Sequence, residues 1–117
     1  MINSSTKKIS LSLTLVAAIF ITFSANAKDD VKKGAEIYGG TCVACHGTKG
    51  KGEFPGMPDL TSSKSPLTKS DEILFDHILN GFQSGNSAIE MPALGAYPEL
   101  TDQEIKDVIA YMRKTFQ

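Results

Sequence analysis

The chain has few cysteines, almost no net charge and no sequence pattern typical of β-strands. Only two cysteines occur among its 117 residues, so one pair of thiols is available for a disulfide or a cofactor. The formal net charge is −1, which argues against a nucleic-acid-binding protein because such proteins select for strongly basic faces. No alternation of apolar and polar residues and no internal repeat is present. The absence of a strand pattern, beside the helical patterns described below, predicts an all-α protein.

The amino terminus carries an extended apolar run from Ile9 to Phe23. A pair of lysines precedes this run and Ala25-Asn26-Ala27 follows it, which is typical of a cleavable secretory signal. The run is shorter than the ~20 residues that a membrane span needs, and retention as an anchor is the alternative. We predict a signal peptide over residues 1–27 and one domain over residues 28–117, in which 10 basic and 13 acidic side chains give a net charge of −3.

Residues Cys42 to His46 read Cys-Val-Ala-Cys-His, the C-x-x-C-H pattern of covalent haem attachment. On a helical turn, positions i, i+3 and i+4 lie on one face, so both sulfurs and the imidazole can address one flat cofactor. We therefore predict thioether bonds from Cys42 and Cys45 to the vinyl groups of haem, with His46 as an axial ligand of the iron. A disulfide or a redox-active dithiol is the alternative for the two cysteines.

The segment before this motif is predicted to form a short helix. Acidic residues around Asp30 suit its amino end, and Gly39-Gly40 is expected to end it. Gly34 interrupts the apolar face, and glycine inside a helix costs up to ~1 kcal/mol relative to alanine. Close approach of another helix would explain this glycine. Sequence noise is the alternative.

Two further helices are predicted in the second half of the chain. The first begins after Ser70 and ends at Gly81. The second follows a capping box formed by Thr101 and Glu104, and apolar residues recur along it at helical spacing. The segments between the helices are rich in glycine and proline, which predicts loops able to wrap around a cofactor.

The iron face opposite the histidine has several candidate ligands. Met91 lies in an irregular loop and is followed by Pro92, where the backbone is free to present a side chain inward, so it is the predicted ligand. Met57 follows the haem motif so closely that reaching around the ring would be awkward. Met112 belongs to the apolar stripe of the last helix and is expected to pack in the core. His77 is expected to make an ordinary hydrogen bond at the core boundary, and it is the reserve candidate.

Ligation by one histidine and one methionine has a functional consequence. A thioether ligand favours the reduced iron and raises its potential relative to ligation by two histidines. Six-coordinate iron leaves no vacant position for a substrate. These properties predict an electron carrier and argue against an enzyme.

Taken together, these motifs make the chain resemble a small bacterial class I cytochrome c over essentially all of residues 28–117. The matching features occur in the family's order: Gly34 and Tyr38, Cys42 to Gly47, Pro58-Asp59-Leu60, Asn80-Gly81, Met91-Pro92 and Tyr111. The resemblance implies a small all-α fold, with three to four helices wrapped around one covalently bound haem c.

The resemblance also implies roles for single residues. Pro58 would offer its backbone oxygen to the ring of His46, an orienting contact of the kind that metal-bound histidines make, and Pro55 is the alternative. Leu60 would line the haem pocket. The glycine and the tyrosine of the first helix would pack against the last helix near Tyr111.

The function expected from the resemblance is electron transport in the periplasm. The partners would be redox proteins: a dehydrogenase or bc-type complex on one side and a terminal oxidase or reductase on the other. A dedicated cytochrome subunit of one periplasmic oxidoreductase is a close alternative. A haem sensor or peroxidase-like protein with an exchangeable sixth ligand, and a thiol–disulfide oxidoreductase, are alternatives from other classes.

Overall fold

A computed structural model describes residues 28–85 and 87–117. Four α-helices occur in these residues: α1 (Val31–Ile37), α2 (Val43–His46), α3 (Asp71–Asn80) and α4 (Asp102–Phe116). A π-helical turn spans Tyr38–Cys42, and two 3-10 turns span Pro66–Thr68 and Ala93–Ala96. Extended pairing within the described residues is limited to an isolated bridge between Phe82 and Met91. The prediction of an all-α fold is confirmed.

The predicted signal peptide, residues 1–27, lies outside the described residues. Among the residues that are described, no helix is long and apolar enough to cross a bilayer.

The first helical segment runs without a break from Val31 to His46, through the π turn that joins α1 to α2. The prediction that Gly39-Gly40 ends the first helix is therefore wrong. A glycine stops a helix when its backbone turns left-handed, as at Gly81 with φ of 80°, and neither glycine of this pair has a positive φ. The backbone stays helical, and its hydrogen bonds join residues five apart instead of four. The whole C-x-x-C-H motif is consequently helical, as predicted.

Helices α1 and α4 cross at Gly34, where their backbones are in contact. A Cβ at Gly34 would lie 2.5 Å from the carbonyl carbon of Asp107, closer still to its oxygen, and 3.0 Å from the Cβ of Tyr111. The buried carboxylate of Asp107 accepts a 2.8 Å hydrogen bond from the backbone nitrogen of Asp30, at the start of α1. The predicted close approach at Gly34 is confirmed.

An aromatic cluster extends this crossing toward the haem motif. The ring of Tyr38 is buried, and its centroid lies 5.3 Å from that of Tyr111 and 5.4 Å from that of Phe116. Tyr38 thus packs near Tyr111, as the resemblance implied. Apolar side chains of α4 complete this side of the core: Ile105, Val108, Ile109, Met112 and Phe116.

The two later helices begin and end as predicted. Helix α3 starts after Ser70 and stops at Gly81. Helix α4 starts with the capping box, in which the hydroxyl of Thr101 accepts from the Glu104 nitrogen and the Glu104 carboxylate accepts from the Thr101 nitrogen at 3.0 Å. Near the end of α4, Arg113 donates to the carbonyl oxygens of Leu67 and Lys69, at 2.7 and 2.8 Å. These bonds tie α4 to the segment that leads into α3.

Replacement of Gly34 with alanine should destabilise the protein by about 1–3 kcal/mol, because the new methyl group collides with the backbone of α4. Gly39→Ala is the matched control, since no atom lies within 4 Å of its added Cβ and alanine favours a helix. Thermal unfolding of both variants checks the expectation. Equal melting temperatures would contradict the proposed steric limit.

Glu104→Gln should weaken the fold near neutral pH and have less effect in acid. Hydrogen bonds from the nitrogen and hydroxyl of Thr101 lower the pKa of Glu104 below its ordinary value of 4.5, and Lys33 contributes further. A lowered pKa stabilises the fold above pH 4.5, and this contribution is lost as the pH falls through the folded-state pKa. Thermal unfolding from pH 7 to pH 3 should show the two melting temperatures converging. Glu36→Gln, on the exposed side of α1, controls for loss of charge.

Candidate haem-attachment site

The two cysteines lie on consecutive helical segments and form no disulfide with each other. Cys42 ends the π turn and Cys45 lies in α2, and both are half-buried. Burial raises the pKa of the Cys42 thiol to about 11. Helical spacing places both sulfurs and the imidazole of His46 on one face, which is the arrangement that a single haem requires.

The ring of His46 has a nitrogen that the surrounding protein leaves unsatisfied. Its Nδ1 is buried and has no hydrogen-bond partner among the described residues. Burial also lowers the pKa of His46, which favours the neutral imidazole that can bind a metal. A buried polar atom without a partner costs about 1–3 kcal/mol, so the surroundings of this ring fit a residue whose contacts are completed when a cofactor is bound.

The predicted hydrogen bond from His46 to a proline oxygen is not formed in this structure, since Nδ1 has no partner. Of the two candidates, Pro58 is half-buried and Pro55 is exposed. The glycine-rich loop does fold back on the motif, because the nitrogen of Gly52 donates to the His46 oxygen at 2.9 Å. Leu60 is buried in the hydrophobic core. The contacts of Pro58 and Leu60 with haem stay predictions.

Tyr38 fixes the end of α2. Its hydroxyl donates a 2.8 Å hydrogen bond to the carbonyl oxygen of Gly47, the residue after His46. Burial raises the pKa of Tyr38 above its ordinary value, so the donor keeps its proton. The aromatic cluster between α1 and α4 is thus joined by one buried hydrogen bond to Gly47, the residue that follows His46.

Met91 is half-buried, packs against the hydrophobic core and is held by its backbone. Its nitrogen and oxygen pair with the oxygen and nitrogen of Phe82, at 2.9 and 3.0 Å. Gly81 permits this pairing, because a Cβ there would lie 2.8 Å from the Met91 oxygen.

The other candidate ligands lie in different surroundings. Met112 is buried within the core cluster, as predicted. Met57 is half-buried in the glycine-rich loop, where its Cβ lies 2.7 Å from the place of an added Cβ at Gly52. The ring of His77 lies flat against that of Phe82, with centroids 3.8 Å apart and planes at 12°. Met57 lies in the loop that folds back on His46, whereas Met91 precedes a turn that contacts the segment before Cys42.

That turn is the 3-10 turn Ala93–Ala96, which lies against the π turn that carries Cys42. The hydroxyl of Thr41 donates a 2.6 Å hydrogen bond to the carbonyl oxygen of Gly95. An added Cβ at Gly95 would lie 3.9 Å from the sulfur of Cys42. Sequence reasoning did not single out Thr41 or Gly95, and no local pattern marks a contact across 54 positions.

An all-α fold with a helical C-x-x-C-H motif, and with a methionine loop folded onto it, defines a small class I monohaem cytochrome c. A family model described as cytochrome c oxidase, cbb3-type, subunit III matches residues 29–112. The chain belongs to this family of cytochrome c domains. Its cofactor is haem c, which cytochromes of the family hold covalently.

Individual relatives agree with this assignment. The chain is 34% identical to cytochrome c6 of Thermostichus vulcanus over 108 residues, which are 91% of this chain and 90% of that protein. It is also 34% identical to the gluconate 2-dehydrogenase cytochrome c subunit of Pantoea cypripedii over 91 residues, 73% of this chain. The matched region is only 20% of the length of that subunit.

A solved structure is similar as well. Cytochrome cL of Methylophaga aminisulfidivorans superposes with a TM-score of 0.54 at 27% identity. The superposition covers 74% of this chain and 53% of that one.

Gly81→Ala should displace the backbone of Met91 and lower stability by about 1–2 kcal/mol, since the left-handed φ disfavours a Cβ that would also meet the Met91 oxygen. Gly85→Ala is the matched control, because its added Cβ meets no atom within 4 Å. Thermal unfolding and the visible spectrum of the oxidised haem protein provide the measurements. Identical behaviour of the two variants would contradict the role given to Gly81.

Proposed function

We propose that this chain is a periplasmic cytochrome c that carries single electrons between redox proteins. Residues 1–27 act as the cleaved export signal and residues 28–117 form the cytochrome domain. One observation carries the proposal. In the turn after Met91, the carbonyl oxygen of Gly95 accepts a hydrogen bond from Thr41, the residue before Cys42, so two segments that are distant in the sequence are in contact. One ring held between these segments would have a ligand available on each side.

The roles of the site residues follow from their chemistry. Cys42 and Cys45 anchor the haem by thioether bonds, and His46 binds the iron through its neutral imidazole. Met91 supplies the second axial ligand, a soft thioether that favours the reduced iron. Haem iron supplies the one-electron couple. Two protein ligands on the iron leave no site for a substrate, which suits a carrier.

The surroundings of the ligands suit electron transfer. His46 lies in a helix fixed by the crossing at Gly34, and Met91 is fixed by its pairing with Phe82. Ligands held in this way move little between redox states. Leu60 lies in the apolar core and Met91 packs against it, and apolar surroundings of a haem are one of the means by which a protein sets the potential.

The partners are redox proteins: a dehydrogenase or bc-type complex as donor, and a terminal oxidase or reductase as acceptor. A second candidate function is that of a dedicated subunit of one periplasmic oxidoreductase. The similarity to a dehydrogenase cytochrome subunit favours it, and the full-length match to cytochrome c6 favours a free carrier. Purification from the native periplasm separates the two, because a subunit elutes with its catalytic partner.

Met91→Ala should lose the absorption signature of a methionine–iron bond and lower the reduction potential, because a water or a harder ligand replaces the thioether. Spectra of both redox states and a redox titration provide the measurements. The reduced wild type should bind carbon monoxide slowly at neutral pH and the variant readily.

Met57→Ala is the matched control, and its spectrum should equal that of the wild type. An unchanged spectrum in Met91→Ala would refute the ligand assignment and direct attention to Met57 or His77. Rapid carbon monoxide binding by the wild type would instead support a sensor or peroxidase-like protein.

A further inference from the structure

The turn after Met91-Pro92 has a strained backbone. Leu94, Gly95 and Ala96 have φ angles of 55°, 59° and 64°, so three consecutive residues are left-handed. Glycine adopts this region freely, but Leu94 and Ala96 carry a Cβ that approaches the following carbonyl oxygen. A strained turn persists only where surrounding contacts hold it.

A side-chain hydrogen bond joins this turn to the haem-attachment segment. The Thr41 hydroxyl donates to the Gly95 oxygen at 2.6 Å, in a partly buried position where water competes weakly. The pairing of Phe82 with Met91 joins two residues of the same half of the chain, so it shapes the loop without closing it onto the motif. The Thr41 bond connects the loop to the residue next to Cys42.

We propose that Thr41 is a positioning residue whose hydroxyl latches the Met91 loop closed over the haem. The inference rests on the proposed ligation of iron by Met91. Opening the loop breaks the Thr41–Gly95 hydrogen bond and relaxes the strain at Leu94 and Ala96, so the two effects oppose each other. The balance sets how readily an external ligand displaces Met91 from the iron.

The test is a titration of the oxidised holoprotein with imidazole, which binds iron only when the methionine has left. Thr41→Val keeps the shape of the side chain and removes the hydroxyl. Apparent imidazole affinity should rise about two- to tenfold, as one net hydrogen bond predicts, because the open fraction rises by the same factor. Thr41→Ser keeps the hydroxyl and should match the wild type.

Ala96→Gly provides a second variant with the opposite expectation. Glycine removes the left-handed strain from the closed turn, so imidazole should bind more weakly than to the wild type. Hydrogen exchange adds a readout that needs no ligand. The amides of Gly95 and Tyr97, which donate within this turn, should exchange faster in Thr41→Val and at wild-type rates in Thr41→Ser.

Met91→Ala separates failure of the latch from failure of the ligand assignment. If Met91→Ala binds imidazole far more tightly than the wild type while Thr41→Val equals the wild type, Met91 is the ligand and the latch is refuted. If Met91→Ala and the wild type bind imidazole equally, the ligand assignment fails and the latch fails with it. A lower melting temperature in Thr41→Val, with unchanged imidazole affinity and exchange rates, would show a merely structural threonine.

Discussion

The backbone contact between α1 and α4 is the constraint on which the rest of the structure depends. At Gly34 the position of a Cβ is already taken by the carbonyl group of Asp107. The buried Asp107 carboxylate holds the start of α1, and Tyr38 carries the packing onward to the residue after His46. Because the helical path from Val31 to His46 is unbroken, fixing one end of it on α4 fixes the C-x-x-C-H motif at the other.

The sequence was informative wherever a structure depends on neighbouring residues. The C-x-x-C-H spacing, the capping box at Thr101 and the stop at Gly81 are local patterns, and each is formed as predicted. The glycine pair at 39 and 40 misled the prediction, because composition alone does not show whether a glycine takes a positive φ. Its backbone stays helical and joins α1 to α2 through the π turn.

The parts that could not be predicted are those that distant residues decide. Thr41 has no neighbour that indicates its bond to Gly95, 54 positions away. Left-handed angles at Leu94 and Ala96 contradict the preferences of both residues, so they arise from packing of the loop and not from local propensity. Likewise, His77 lies on an amphipathic helix, but its aromatic partner Phe82 lies beyond the helix end. The cysteine and histidine of the site were therefore easier to place than the surroundings of the methionine.

The π turn at Tyr38–Cys42 sets the angle between two faces of one helical segment. Gly34 and Tyr38 lie before or at the start of this turn and face α4, whereas Cys45 and His46 follow it. Each residue of an α-helix rotates the chain by about 100°, so the extra residue of a π turn offsets everything beyond it by that amount. The π turn that contains the glycine pair thus sets the rotation of Cys45 and His46 about the helix axis relative to Gly34. The number of residues in this turn determines the direction of the face that carries Cys45 and His46. Insertions or deletions there should therefore be tolerated far less than two exposed glycines suggest.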